Sequence, residues 1–161
     1  AAVVDPLGCL HYRSPPGRAL PAQEQIYADF GEEIALIGYD LPRTRVQTGD
    51  TVSIVLYWHA LTDIEKNYQS FVHIAEPLTV AWAQEDHLNP GRLPTSRWRN
   101  DKYVWDEYNI RIPPNTPAGE YRVNVGLYQR SDGSRLVRRD GAYNEADSLV
   151  ISSIEVGAAE P

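Results

Sequence analysis

From Gln25 onward the chain sets short apolar runs between turn signals every ~8–12 residues, and no segment keeps a helical period for long. A chain punctuated this way buries its apolar side chains in strands, where successive residues point to opposite faces. The clearest run follows Thr48-Gly49-Asp50. There Val52, Ile54, Leu56 and Trp58 point one way, and Ser53, Val55, Tyr57 and His59 the other. Apolar residues on both sides predict a central strand. Further strands are expected at 26–30 and 34–41, and 68–75 with 79–86 reads as a hairpin across Glu76-Pro77-Leu78. A long polar loop over 87–101, holding Pro90-Gly91 and Pro94, separates these from a strand at 102–112 that Pro113-Pro114 ends. After Pro117-Ala118-Gly119, Tyr121, Val123, Val125 and Leu127 share a face. Ser131-Asp132-Gly133 is a hairpin turn into 134–139, and 148–156 is the last strand.

Eight or nine such strands predict an all-β fold, an immunoglobulin/fibronectin-like antiparallel β-sandwich with an extended N-terminal arm. Gly119-Glu120-Tyr121 matches the tyrosine corner of that architecture, while the Cys-Trp-Cys triangle of antibody domains is missing from the sequence. Residues 1–25 carry Pro6, Pro15, Pro16 and Pro21 without either structural period and read as an arm or linker. The sandwich is expected over 26–156 and a tail over 157–161.

Charge narrows the partners. The formal net charge of −7 repels a nucleic-acid backbone or an anionic membrane surface, so neither is expected as a partner. The longest mainly apolar stretch, 52–62, falls short of the ~20 residues that span a bilayer, so no direct membrane insertion is expected. Cys9 is the single cysteine and has no internal disulfide partner.

Residues able to do chemistry do not assemble into a catalytic pattern. His11, His59, His73 and His87 lack zinc-motif spacing, and no metal or cofactor is expected. His59 and His73 read as satisfied strand residues, and His87 as a solvated loop entry, the alternative being that it joins Glu85-Asp86 around a cation. The neighbouring carboxylates Glu85-Asp86 and Asp106-Glu107 are each split between the two faces of a strand. A phosphate loop and a Gly-x-Ser-x-Gly elbow are both missing from the sequence, so no catalytic residue is assigned. The aromatic residues are more informative. Trp98, Trp105 and Tyr103 cluster in sequence with Arg97, and Asp86 opens the same loop region. A ring beside hydrogen-bonding groups suits a sugar, and these five residues form the candidate ligand site. The alternative is that Trp58, Trp82 and Trp105 pack the core and rim while Trp98 staples the loop.

The order of several segments resembles a bacterial family. Phe30-Gly31, Leu36-Ile37-Gly38-Tyr39-Asp40, Thr48-Gly49-Asp50-Thr51, Leu56-Tyr57-Trp58 and Phe71-Val72-His73-Ile74 carry the first half of the likeness. Gln84-Glu85-Asp86, Pro94-Thr95-Ser96-Arg97-Trp98, Ile112-Pro113, Pro117-Ala118-Gly119-Glu120-Tyr121 and Val125-Gly126-Leu127-Tyr128 carry the second. Together they resemble the extracytoplasmic C-terminal β-sandwich module of polytopic, mannosyltransferase-type glycosyltransferase proteins of Chloroflexi-like bacteria. Asn100-Asp101-Lys102 stands where a Pro-Gly-Glu turn is usual in that family. The resemblance implies a non-catalytic accessory domain at the cell surface or in a periplasm-like space. Its implied partner is another protein chain or a domain of the parent membrane protein; the alternative is a glycan.

Overall fold

The computed structural model describes residues 2–4, 10–13, 20–76, 81–140 and 144–158. Its strands are β1 (Ala2–Val4), β2 (Leu10–Arg13), β3 (Glu24–Phe30), β4 (Ile34–Asp40), β5 (Arg45–Gln47), β6 (Thr51–Ala60) and β7 (Tyr68–Ala75). They continue with β8 (Ala81–His87), β9 (Lys102–Arg111), β10 (Gly119–Gln129), β11 (Arg138–Asp140), β12 (Asn144–Ala146) and β13 (Leu149–Gly157). Among the described residues the only helical turns are two short 3-10 turns, Pro90–Arg92 and Thr95–Arg97.

The strands form two sheets. One has the order β1-β2-β9-β6-β4-β3-β11-β12 and the other β5-β13-β10-β7-β8. The fold is the expected all-β sandwich. Eight strands have seven residues or more, and the remaining five are short additions at sheet margins. Pairing is antiparallel except that β5 lies parallel to β13.

Alternation explains the core. Val52, Ile54, Leu56 and Trp58 of β6 face Tyr121, Val123, Val125 and Leu127 of β10, and all eight are buried. β6 is central, lying between β4 and β9. Phe30 meets Trp58 edge to face, with ring centroids 5.7 Å apart. The Tyr121 hydroxyl donates to the Pro117 carbonyl at 2.6 Å, so the expected tyrosine corner is formed. On the outer face of the five-stranded sheet, Phe71 is buried over Gly126, where a Cβ would sit 2.4 Å from the ring's Cζ. Only glycine leaves room for that ring.

Segments near both ends of the larger sheet differ from expectation. Residues 11–13, expected in an unpatterned arm, pair antiparallel with Lys102–Val104 of β9 and extend the larger sheet. Gly133 (φ +74°) makes the expected turn, and residues 134–136 pair back on 127–129, but the hairpin goes no further. The chain then crosses to the other sheet, where Arg138 pairs with Phe30. The cause is local. Leu136 packs against the core and lies over Gly31, whose N–H donates to the Val137 carbonyl at 2.8 Å. Finally, β7 and β8 pair as expected, whereas the expected strand start at Thr79 lies outside the described residues.

Candidate functional site

On the side of the sandwich where β8 ends the smaller sheet and β9 runs on past its pairing with β2, there is a groove of about 610 Å³. Asp86, His87, Leu88, Asn89, Gly91 and Arg92 form one wall, and Trp105, Asp106, Glu107 and Asn109 of β9 the other. Alternation along β9 sends Trp105, Glu107 and Asn109 outward and Asp106 inward, as the split carboxylate pair predicted.

Asp106 is fully buried, and a buried carboxylate must be satisfied or neutralised. Its Oδ2 accepts from Trp58 Nε1 at 3.1 Å and from Ser70 Oγ at 2.7 Å. Its Oδ1 lies 2.6 Å from His87 Nδ1 and accepts from the Gly91 N–H at 3.1 Å. The other His87 nitrogen, Nε2, lies 2.9 Å from Glu85 Oε2. The imidazole stacks on Tyr108, with centroids 3.8 Å apart and planes 5° from parallel. Burial of the ring opposes its charged form, but the hydrogen bonds and charges of Asp106 and Glu85 outweigh this and raise the His87 pKa. Burial, with the Asp106 charge added, pushes the Tyr108 phenol far above its ordinary value. Tyr108 therefore stays neutral beside the charged pair. Its hydroxyl meets Ser70 Oγ, which closes the network.

Of the five sequence-predicted site residues, the structure brings two to the groove. Asp86 lines it and accepts from the Tyr128 hydroxyl at 2.8 Å. Trp105 lines it from a partly buried position directly opposite Tyr57 in register. The Tyr57 phenol is driven up by burial and the Asp40 carboxylate, against an opposing hydrogen bond from the Trp105 side chain. The other three lie elsewhere. Trp98 is only 5% exposed, and its Nε1 donates to the Leu93 carbonyl at 2.9 Å, so it staples the loop and offers no face to a ligand. Tyr103 is buried with its ring 5.9 Å from that of Tyr57. Arg97 is exposed and lies outside the groove.

The 87–101 segment is thus a plug more than a solvated loop. Pro90, Leu93, Thr95 and Trp98 are all buried. Thr95 Oγ1 donates to the Lys66 carbonyl at 2.7 Å and accepts from the Tyr68 N–H at 2.9 Å. Sequence reasoning missed His87 and Asp106. The available signal was Asp106 itself, an acid at the inward position between Val104 and Tyr108, which demands a partner.

No protein-family model and no curated protein sequence matches the chain. Among solved structures, the C-terminal domain of Wzt superposes with a TM-score of 0.57 at 14% identity, over 91% of this chain and 84% of that one. A CARDB domain from Pyrococcus furiosus, in complex with di-metal ions, gives 0.40 at 16% identity over 83% of this chain and 96% of that one. The Wzt domain's likeness shows a shared β-sandwich fold.

Proposed function

We propose that this domain is a non-catalytic recognition module whose groove between β8 and β9 holds a segment of a glycan chain. The observation that carries the reading is Trp105, a partly buried ring in a concave site beside Asp86, Asn89, Arg92, Glu107 and Asn109. A ring stacks on the C–H face of a sugar, while carboxylates and amides take its hydroxyls. The ligand favoured is neutral or amine-bearing, since two outward carboxylates and a net charge of −7 repel acidic polymers. Ser70, the serine of the Asp106–His87 cluster, is fully buried and donates to Asp106, which supports a binding role over a nucleophilic one. With the sequence resemblance, this reading makes the domain an extracytoplasmic accessory to a glycosyltransferase-type membrane protein.

The test is electrophoresis through gels containing neutral mannan, with alginate as the acidic control. Wild type should be retarded by mannan alone, and Trp105→Ala should weaken the retardation at least about tenfold, as loss of a central Trp anchor does. Equal retardation of variant and wild type overturns the reading.

A second reading, docking to another protein chain, is favoured by the edge of β9. That strand has ten residues, yet β2 pairs only with Lys102–Val104. Among the described residues, Trp105–Arg111 has no strand on that side, and such an edge accepts an extended segment from a partner.

A further inference from the structure

The groove's two walls are joined through one side chain. His87 ends β8, its Nδ1 meets Asp106 of β9, and its Nε2 meets Glu85 two residues back on its own strand. An ionised carboxylate only accepts, so both contacts are hydrogen bonds together only while both ring nitrogens carry protons. The same Asp106 oxygen that meets His87 also accepts from Gly91 N–H, which belongs to the groove wall. Protonation of one imidazole is thereby linked to the position of the 88–92 backbone.

We propose that His87 is a proton-operated latch on this groove: charged, it ties Glu85 to Asp106 and holds the 88–92 wall in place; neutral, it releases Glu85. The proposal deepens the glycan reading and rests on it only for the identity of the ligand. A neutral imidazole has one N–H. It keeps the 2.6 Å bond to Asp106, because that carboxylate is buried and held in place by its other hydrogen bonds. Nε2 then turns a lone pair toward the Glu85 carboxylate, and the partly exposed Glu85 swings into solvent. Two changes follow at the groove. The cluster of His87, Asp106 and Glu85 goes from one net negative charge to two, and the end of β8 next to Asp86 loses its tie.

Asp106 and Glu85 set the direction of the switch, against the burial of the ring. Asp86 from β8 and Glu107 from β9 bring further negative charge to the groove, and Arg92 from the 3-10 turn brings positive charge. Tyr108 and Ser70 contribute neutral hydroxyls, and Trp58 donates to the far oxygen of Asp106. Arg92 also holds a left-handed backbone (φ +67°) directly after Gly91. A non-glycine residue there is strained, so the segment tied to Asp106 is poised to respond when the charge on the cluster changes.

The experiment follows backbone amide and imidazole resonances by NMR from pH 5 to 9, with mannan oligosaccharide affinity measured across the same range. Wild type should show the Gly91 amide titrating together with the His87 ring, and affinity falling at least threefold above that midpoint. Glu85→Gln removes one of the two anionic acceptors at a partly exposed position, and should move both midpoints down by about one pH unit while the fold persists. A Gly91 amide that does not titrate with His87, or a midpoint unmoved in Glu85→Gln, overturns the latch. Coupled titration of Gly91 and His87 in a protein that binds no oligosaccharide at any pH supports the latch and removes the glycan reading instead.

Discussion

His87 and His73 sit on the paired strands β8 and β7 and respond to pH with opposite signs. Burial lowers the His73 pKa, with Asp86 opposing and Arg135 assisting, so its ring is held neutral against Phe71 at 4.7 Å between centroids. His73 therefore contributes stability at neutral pH that is lost as pH falls from about 6.5 through its lowered folded value. His87 works the other way. Its raised folded pKa gives stability that is fully present below about pH 6.5 and is lost as pH rises through that folded value. The expected outcome in urea titrations is that His87→Gln is less stable than wild type at pH 6, and that the difference shrinks steadily toward pH 9. A constant difference across that range would mean the imidazole contributes packing alone. The stacked geometry on Tyr108 already supplies that packing, which is why the pH dependence, more than the loss itself, identifies the charge.

The 87–101 segment acts as an element although it has almost no regular structure. Thr95 ties it to the sandwich and Trp98 ties it to itself, each through a backbone group that the core has removed from water. Thr95→Val keeps the shape but strips the hydroxyl from both the Lys66 carbonyl and the Tyr68 N–H. The expected cost is about 1–3 kcal/mol, read as a lower urea midpoint with an unchanged slope. A loss within experimental error would place those backbone groups in contact with water. Strands of this protein were legible because alternation is local: Val52 to Trp58 and Tyr121 to Leu127 declare their faces within a single run. The loop was not, because what buries Trp98 is the tie of its Nε1 to Leu93 and the contacts of Thr95 with residues 27 and 29 positions away. Spacing along the chain carries no trace of those. The crossing of 135–138 between sheets was equally hidden, since it follows from the seat of Leu136 over Gly31. Asp86 and Trp105 were assigned to the site for their chemistry and do line the groove. Trp98 had the same chemistry and is consumed by the core.

At the scale of the whole molecule, Trp58 is the largest side chain in the fully buried core, and it joins three subsystems. Its ring packs against Phe30, its strand is the centre of the larger sheet, and its indole N–H holds Asp106 in the buried polar network. Trp58→Ala should lower stability by about 3–5 kcal/mol in chemical denaturation. Trp58→Phe, which retains much of the packing and leaves one Asp106 contact unmade, should lie between that variant and wild type. Equal stability of the Phe variant and wild type would show that the indole N–H adds nothing to the network.

The parallel seat of β5 against β13 carries a consequence for the making of the chain. Glu155, Val156 and Gly157 close against Arg45, Val46 and Gln47, and the Tyr39 hydroxyl donates to the Ile151 carbonyl across 112 residues. β13 also flanks β10 along most of that strand's length. It is the last of the described strands to be synthesised. A nascent chain stopped short of Leu149 has β10 as a bare margin of three paired strands, its backbone donors and acceptors open to any extended neighbour. The growing polypeptide is thus exposed to mispairing until β13 arrives, and long-range closure of this kind makes folding slow once it does.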